Sequence, residues 1–175
     1  MARDLFPEAA AATFDDPLGM LKACHSRIER QLMTLGRLQR HLPQNGCDDD
    51  ARAAARAILR YFDLAAPNHH ADEETSIFPR LAAKAPQARS LLEQLERDHA
   101  TLAAGWTRLR PLLASIAAGQ RANLSAKDVA VVRRAYESHI AREEGELIPL
   151  AAAAFDAETL AAIGREMAAR RNVGS

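Results

Sequence analysis

Six residues of this chain have the type and spacing that metal ligation requires: His25, His69, Glu73, His99, His139 and Glu143. Two of the histidines are followed four residues later by a glutamate, His69 by Glu73 and His139 by Glu143. On an α-helix such residues lie about 40° apart around the axis and ~6 Å apart along it, so each pair can reach one metal region with two prongs. The flanking segments form an internal repeat of pattern H-x-A-x-E-E. His69-His70-Ala71-Asp72-Glu73-Glu74 aligns with His139-Ile140-Ala141-Arg142-Glu143-Glu144, and Pro79 and Pro149 stand at the same distance beyond their histidines. Upstream of each copy is a lone histidine, His25 before the first and His99 before the second.

Each of these histidines interrupts an apolar stripe. His25 falls between Leu21 and Ile28, His99 between Leu95 and Leu102, His69 between Ala65 and Glu73, and His139 between Tyr136 and Glu143. One histidine in such a stripe is more often a hydrogen-bonded core residue than a ligand. Four of them with two matched glutamates are another matter, because unpaired polar groups in one core are costly and metal coordination removes that cost. Imidazole and carboxylate suit iron, manganese or zinc. Six donors could fill one octahedral ion, but two glutamates with two oxygens each can bridge a pair of ions, and the paired repeat argues for the pair.

The neighbours of these residues carry their own expectations. Glu74 and Glu144 should face solvent or hydrogen-bond the ligands, and Asp72, Arg142 and Glu146 read as a solvated face. His41 reads as a cation at a helix end. His70, about 100° round the helix from His69, is expected behind the ligands or at the surface rather than on the metal. Tyr136 is either a core aromatic or a hydrogen-bond donor to a metal-bound oxygen species.

The elements that must hold this set are helical. Alanine and leucine dominate, and apolar positions recur with helical rather than strand periodicity, so the fold is expected to be all-α. Asp15-Asp16-Pro17 caps a first helix with a stripe of Leu18, Leu21, Ile28, Leu32, Leu35 and Leu42, ending near Leu42 ahead of a Pro43-Gln44-Asn45-Gly46 loop. Aspartates 48–50 open a second, with Ile58, Phe62, Ala65 and Ile77 on its face up to Pro79 and a kink or short break expected at Pro67. A third runs from about Pro86 to Ala118, with Pro111 perturbing its last turns and Gly119 beyond its end. Ser125 with Asp128 caps a fourth, bearing Val129, Val132, Tyr136, Leu147 and Leu150. A fifth, shorter helix follows Asp156 and ends in Arg170, Arg171 and Gly174. Short loops favour an up-down-up-down four-helix bundle. The expected organisation is an N-terminal extension over 1–15, the bundle over 16–153, and a C-terminal helix over 154–175 packed on it.

At 175 residues the chain is about one domain long, and a domain of this size buries roughly 68–70% of its unfolded surface without needing disulfides. Lys plus Arg and Asp plus Glu are 23 each, so no summed field points to nucleic acid or anionic lipid as partner. No apolar run is long enough to span a bilayer, and the first residues lack a signal-like apolar region. A cytoplasmic protein is expected, with Cys24 and Cys47 as reduced thiols. An exposed stripe on the last helix could pair two copies in a homodimer.

With His25, the HHADEE run at 69–74, His99 and the HIAREE run at 139–144, the chain resembles the hemerythrin-like, or HHE cation-binding, family over roughly Pro17 to Leu150. The resemblance implies a four-helix bundle with a non-haem di-iron centre, Glu73 and Glu143 bridging the irons. His25 and His69 would lean to one iron, and His99 and His139 to the other. It also implies dioxygen binding, sensing of oxygen or iron, or a part in responses to nitric oxide and damaged iron centres. The chain departs from the oxygen carriers of that family, which have His-x-x-x-His on the third helix, because His99 is followed at the fourth residue by Ala103. One iron would then have an imidazole fewer and a more open coordination sphere. A binding or sensing protein is the first expectation. An enzyme or iron donor, acting on peroxide or oxygen or repairing iron centres, is the second. A bundle holding zinc or nothing is the third.

Overall fold

The structure, a computed structural model, describes residues 13–173. Residues 1–12 of the expected N-terminal extension, and Gly174, lie outside the described residues. Among the described residues all regular structure is helical. The first long helix is α1 (Pro17–Asn45). The second comprises α2 (Asp49–Arg60), α3 (Ala66–Ala71) and α4 (Phe78–Lys84), joined by wider π turns at Tyr61–Ala65 and Asp72–Ile77. After a short 3₁₀ turn at Pro86–Ala88, α5 (Arg89–Ala117) forms the third. The fourth comprises α6 (Ala126–Arg142) and α7 (Ile148–Ala154), joined by a π turn at Glu143–Leu147, and α8 (Ala157–Arg170) is the fifth helix. Contacts run from α1 to α2, α2 to α5, α5 to α6 and α6 back to α1, closing a four-helix bundle. Helix α8 packs on α1 and on the π turn at 72–77.

The starts of α1, α2, α6 and α8 follow the sequence closely because each has a side-chain oxygen to accept an orphan amide, whereas α5 starts from the 3₁₀ turn without one. Asp16 accepts from Gly19 N at 2.9 Å, Asp48 from Ala51 N at 2.8 Å, Ser125 from Asp128 N at 3.3 Å and Asp156 from Thr159 N at 2.8 Å. Ser125→Ala should cost about 1 kcal/mol in urea unfolding while leaving the metal site untouched. Prolines behave differently from expectation. Helix α1 runs through Pro43 to Asn45 and ends where Gly46, at φ +70°, donates to the Leu42 carbonyl. Helix α5 passes Pro111 without interruption, since that residue is exposed and water can satisfy the carbonyl it frees.

Pro67, Pro79 and Pro149 share one solution. The residue before each donates its amide five residues back: Ala66 to Tyr61, Phe78 to Glu73, and Ile148 to Glu143. The wider turn gives the pyrrolidine ring room against the preceding carbonyls without breaking the helix, so the kink or break expected at Pro67 is a π turn.

The apolar core is in two parts. One cluster includes Ile28, Leu32, Leu35, Ile58, Phe62, Leu102, Leu109, Leu113, Val132 and Tyr136. The other includes Leu18, Leu21, Ile77, Leu81, Leu95, Leu147, Ala151, Ile163 and Met167. In each long helix the metal-type residues fall between the two sets in sequence, so a polar layer divides the core. Gly164 permits the backbone at Phe14 to close against α8, since a Cβ there would stand 1.9 Å from the Phe14 carbonyl oxygen.

Candidate metal centre

All six sequence-selected residues are buried in that layer, with His99 the most accessible at 5%. They form two overlapping donor sets whose ligand atoms lie within 4.8 Å of one another: His25, His69, Glu73 and Glu143, and Glu73, His99, His139 and Glu143. The carboxylates are divided between the sets. Glu143 Oε2 is 2.9 Å from His25 Nε2 and 4.0 Å from His69 Nε2, while its Oε1 is 3.0 Å from His139 Nε2 and 3.8 Å from His99 Nε2. Glu73 turns Oε1 to His69 Nε2 at 3.5 Å and Oε2 to His99 Nε2 at 3.3 Å.

Proximity does not satisfy these atoms. Nε2 of all four histidines, and both oxygens of each glutamate, are buried without a partner in hydrogen-bonding geometry. Unpaired buried groups of this kind are costly, and a cation is the partner that uses lone pairs on nitrogen and oxygen together. The residues present therefore fit a metal.

Around the layer, Glu74 Oε1 is 2.6 Å from His99 Nδ1 and Glu144 Oε1 is 2.9 Å from His25 Nδ1. Both roles expected for these outer glutamates are found, since each bonds an imidazole of the layer and still faces solvent. By accepting Nδ1–H they leave the Nε2 lone pair free toward the cluster, which is how a carboxylate orients a ligating imidazole. His139 Nδ1 has Asp98 Oδ2 at 3.6 Å.

Without metal the charges are uneasy. Burial disfavours the imidazolium of His25, but Glu143 and Glu144 outweigh it and hold its pKa above the ordinary value. At His99 the same opposition, with Glu143, Glu73 and Glu74 prevailing over burial, raises it to about 10. Burial drives His69 well below its ordinary value. Burial, then Glu143, pushes Glu73 far up, whereas contacts with His139, His25 and His99 overcome burial and hold Glu143 low.

Several neighbours differ from expectation. Asp72 is not on a solvated face but fully buried, with Arg170 and Arg171 on its carboxylate. These arginines, read as ordinary helix-end cations, are thus partners of one acid. Arg142 is also paired, with Asp98, and only Glu146 stays exposed as expected. His70 stacks on His99 with centroids 4.0 Å apart and rings 15° from parallel, and its Nε2 is buried without a partner. It is half-buried, and burial followed by His99 pushes its pKa down to about 3. A ring nitrogen of His70 also lies with those of His99 and His139 in a third group, all within 4.8 Å of one another, which makes His70 a candidate donor beside the six. Tyr136 takes the core position, its ring 5.5 Å from Phe62. Ala103 is exposed, so α5 presents one imidazole to the layer. His41 pairs with Asp48 at 2.9 Å, far along α1 from the site. His41→Ala should therefore change neither metal content nor melting temperature, as elemental analysis and calorimetry would show.

A helical bundle whose facing helices bring histidines and two shared glutamates into one buried layer is a cation-binding bundle. The chain belongs to the hemerythrin family: a sequence model of the hemerythrin HHE cation binding domain matches residues 16–151. It is also 35% identical over 162 residues to a Haemophilus influenzae protein described as uncharacterized, covering 93% of this chain and 94% of that protein. No helix among the described residues is long and apolar enough to cross a membrane.

Proposed function

We propose that this chain is a two-iron protein that binds or senses dioxygen or nitric oxide, or iron itself, with zinc or manganese as substitutes. Its supporting observation is the division of both carboxylates between two donor sets, each oxygen facing a different histidine. In this reading Glu73 and Glu143 bridge the ions, His25 and His69 hold one, and His99 and His139 hold the other. Iron so held supplies a reversible redox change and coordination positions for a small ligand.

The chain's own residues supply the rest. Glu74 and Glu144 fix the tautomers of His99 and His25, and the apolar clusters on either side exclude water from the layer.

The test is metal content per chain in protein grown with iron, with absorption spectra before and after anaerobic reduction and re-exposure to air. Two irons and a near-ultraviolet band that bleaches and returns are expected. One zinc, or no metal with undiminished stability, refutes the proposal. Multiple-turnover peroxide consumption, or transfer of iron to an apo acceptor, would move the function from sensing to enzyme or iron donor.

A further inference from the structure

The C-terminal helix reaches the metal layer through one buried acid. Asp72 precedes Glu73 in sequence and is fully buried. Arg171 grips it with two nitrogens, Nη2 to Oδ2 at 2.6 Å and Nη1 to Oδ1 at 3.1 Å, and Arg170 Nη1 donates to the same Oδ1. Both arginines are themselves anchored. Arg170 Nη2 also donates to Ser76 Oγ at 2.6 Å, and Arg171 Nη1 donates to the Met167 carbonyl at 2.9 Å. A reverse strut completes the contact, with Arg80 Nη2 2.7 Å from Glu166 Oε1 and Arg80 Nη1 donating to the Ser76 carbonyl at 2.8 Å.

The bonds to Asp72 and Ser76 converge on the π turn at 72–77, whose Glu73 carbonyl accepts from Phe78 and whose Glu73 side chain enters both donor sets. The aligned residue of the second repeat is Arg142, which pairs with Asp98 inside the bundle. Among the described residues, the charged contact from α8 falls on the first copy and not on its counterpart in the second. A bidentate guanidinium fixes direction as well as distance, so α8 restrains the turn that aims Glu73.

We infer that α8 is an energetically coupled part of the metal centre: Arg170 and Arg171, acting through Asp72, position the turn that carries Glu73, so metal loading and docking of α8 favour one another. The inference rests on the two-ion reading. Coupling of this kind is reciprocal, so whatever factor α8 docking adds to metal affinity, metal adds to α8 docking. Asp72, Arg170 and Arg171 are positioning residues that touch no metal donor atom. They make the last helix the element through which occupancy can be read by the rest of the molecule.

The test compares the full-length wild-type chain with R170Q/R171Q, by anaerobic ferrous titration and by hydrogen exchange over residues 157–170 with and without metal. Wild-type protein should bind two ions, and exchange over 157–170 should slow on loading. The double variant should hold its weaker ion about 10–100-fold less tightly, the range typical of lost support behind a ligand. Its residual exchange over 157–170 should no longer respond to metal. R170K/R171K should recover part of the affinity, and D72N/R170Q/R171Q, which leaves no unpaired buried charge, serves if the double variant fails to fold. Wild-type affinity in these variants, or metal-independent exchange in the wild type, overturns the inference while leaving the two-ion reading intact. A wild-type chain that binds no second ion overturns that reading, and the inference with it.

Discussion

Glu73→Ala should bind fewer than two ions per chain and lose most of the stabilisation that metal confers, and Glu143→Ala should do the same. Each glutamate offers one oxygen to each donor set, so its removal weakens both ions rather than one. A ligand at a hundredfold excess over its Kd adds about 2.7 kcal/mol to stability, so the gap in melting temperature between loaded and stripped protein should collapse in either variant. Stripped Glu73→Ala should be no less stable than stripped wild type, because burial holds that carboxyl's pKa far up, whereas stripped Glu143→Ala should be less stable, because His25 and His99 lose a buried counter-charge. Full two-ion occupancy in both variants, measured by elemental analysis, would refute the bridging roles of Glu73 and Glu143.

Leu113→Ala should do the opposite, lowering stability by about 3 kcal/mol, within the range for a fully buried leucine, while metal content stays at the wild-type value. Leu113 has no exposed surface and belongs to the cluster on the α2 side of the polar layer, several turns along α5 from His99. For a chain of this length that cost corresponds to roughly 6–12 °C in melting temperature. Calorimetry and elemental analysis on the same sample separate the two effects. Loss of metal in this variant would mean that the apolar clusters and the layer between them do not act independently.

The six candidate donors were legible in the sequence because four histidines break apolar stripes of otherwise regular period and two glutamates stand four residues beyond a histidine, patterns visible without knowing the fold. The capping residues were legible for the same reason: Asp16, Asp48, Ser125 and Asp156 act within three residues of themselves. Asp72 was not. Its partners lie about a hundred residues away, and its own surroundings, flanked by alanine and glutamate, look like a solvated helix face. Arg142 was hidden in the same way by Asp98. The π turns were half visible. The fixed distance from histidine to proline in both repeats marked Pro79 and Pro149, yet proline is usually read as a helix breaker, and periodicity alone does not show that a helix can absorb one by widening. His70 was set apart from the six on its angle round the helix alone; its stacking on His99, and the third donor group it forms with His99 and His139, depend on the packing of the second helix against α5, which no local pattern encodes.

Each donor set takes three members from one half of the chain and one from the other: His25, His69 and Glu73 with Glu143, and His99, His139 and Glu143 with Glu73. The outer glutamates cross the same boundary, Glu74 to His99 and Glu144 to His25. The site is therefore a seam that joins two hairpins, and neither hairpin contains a whole one. A backbone cut within residues 119–124, between α5 and α6, would fall inside the second half and spare the seam; a cut near Ala85 would divide both donor sets between two pieces that still share both apolar clusters. A metal held there would then act as a clasp across a seam that apolar packing already closes.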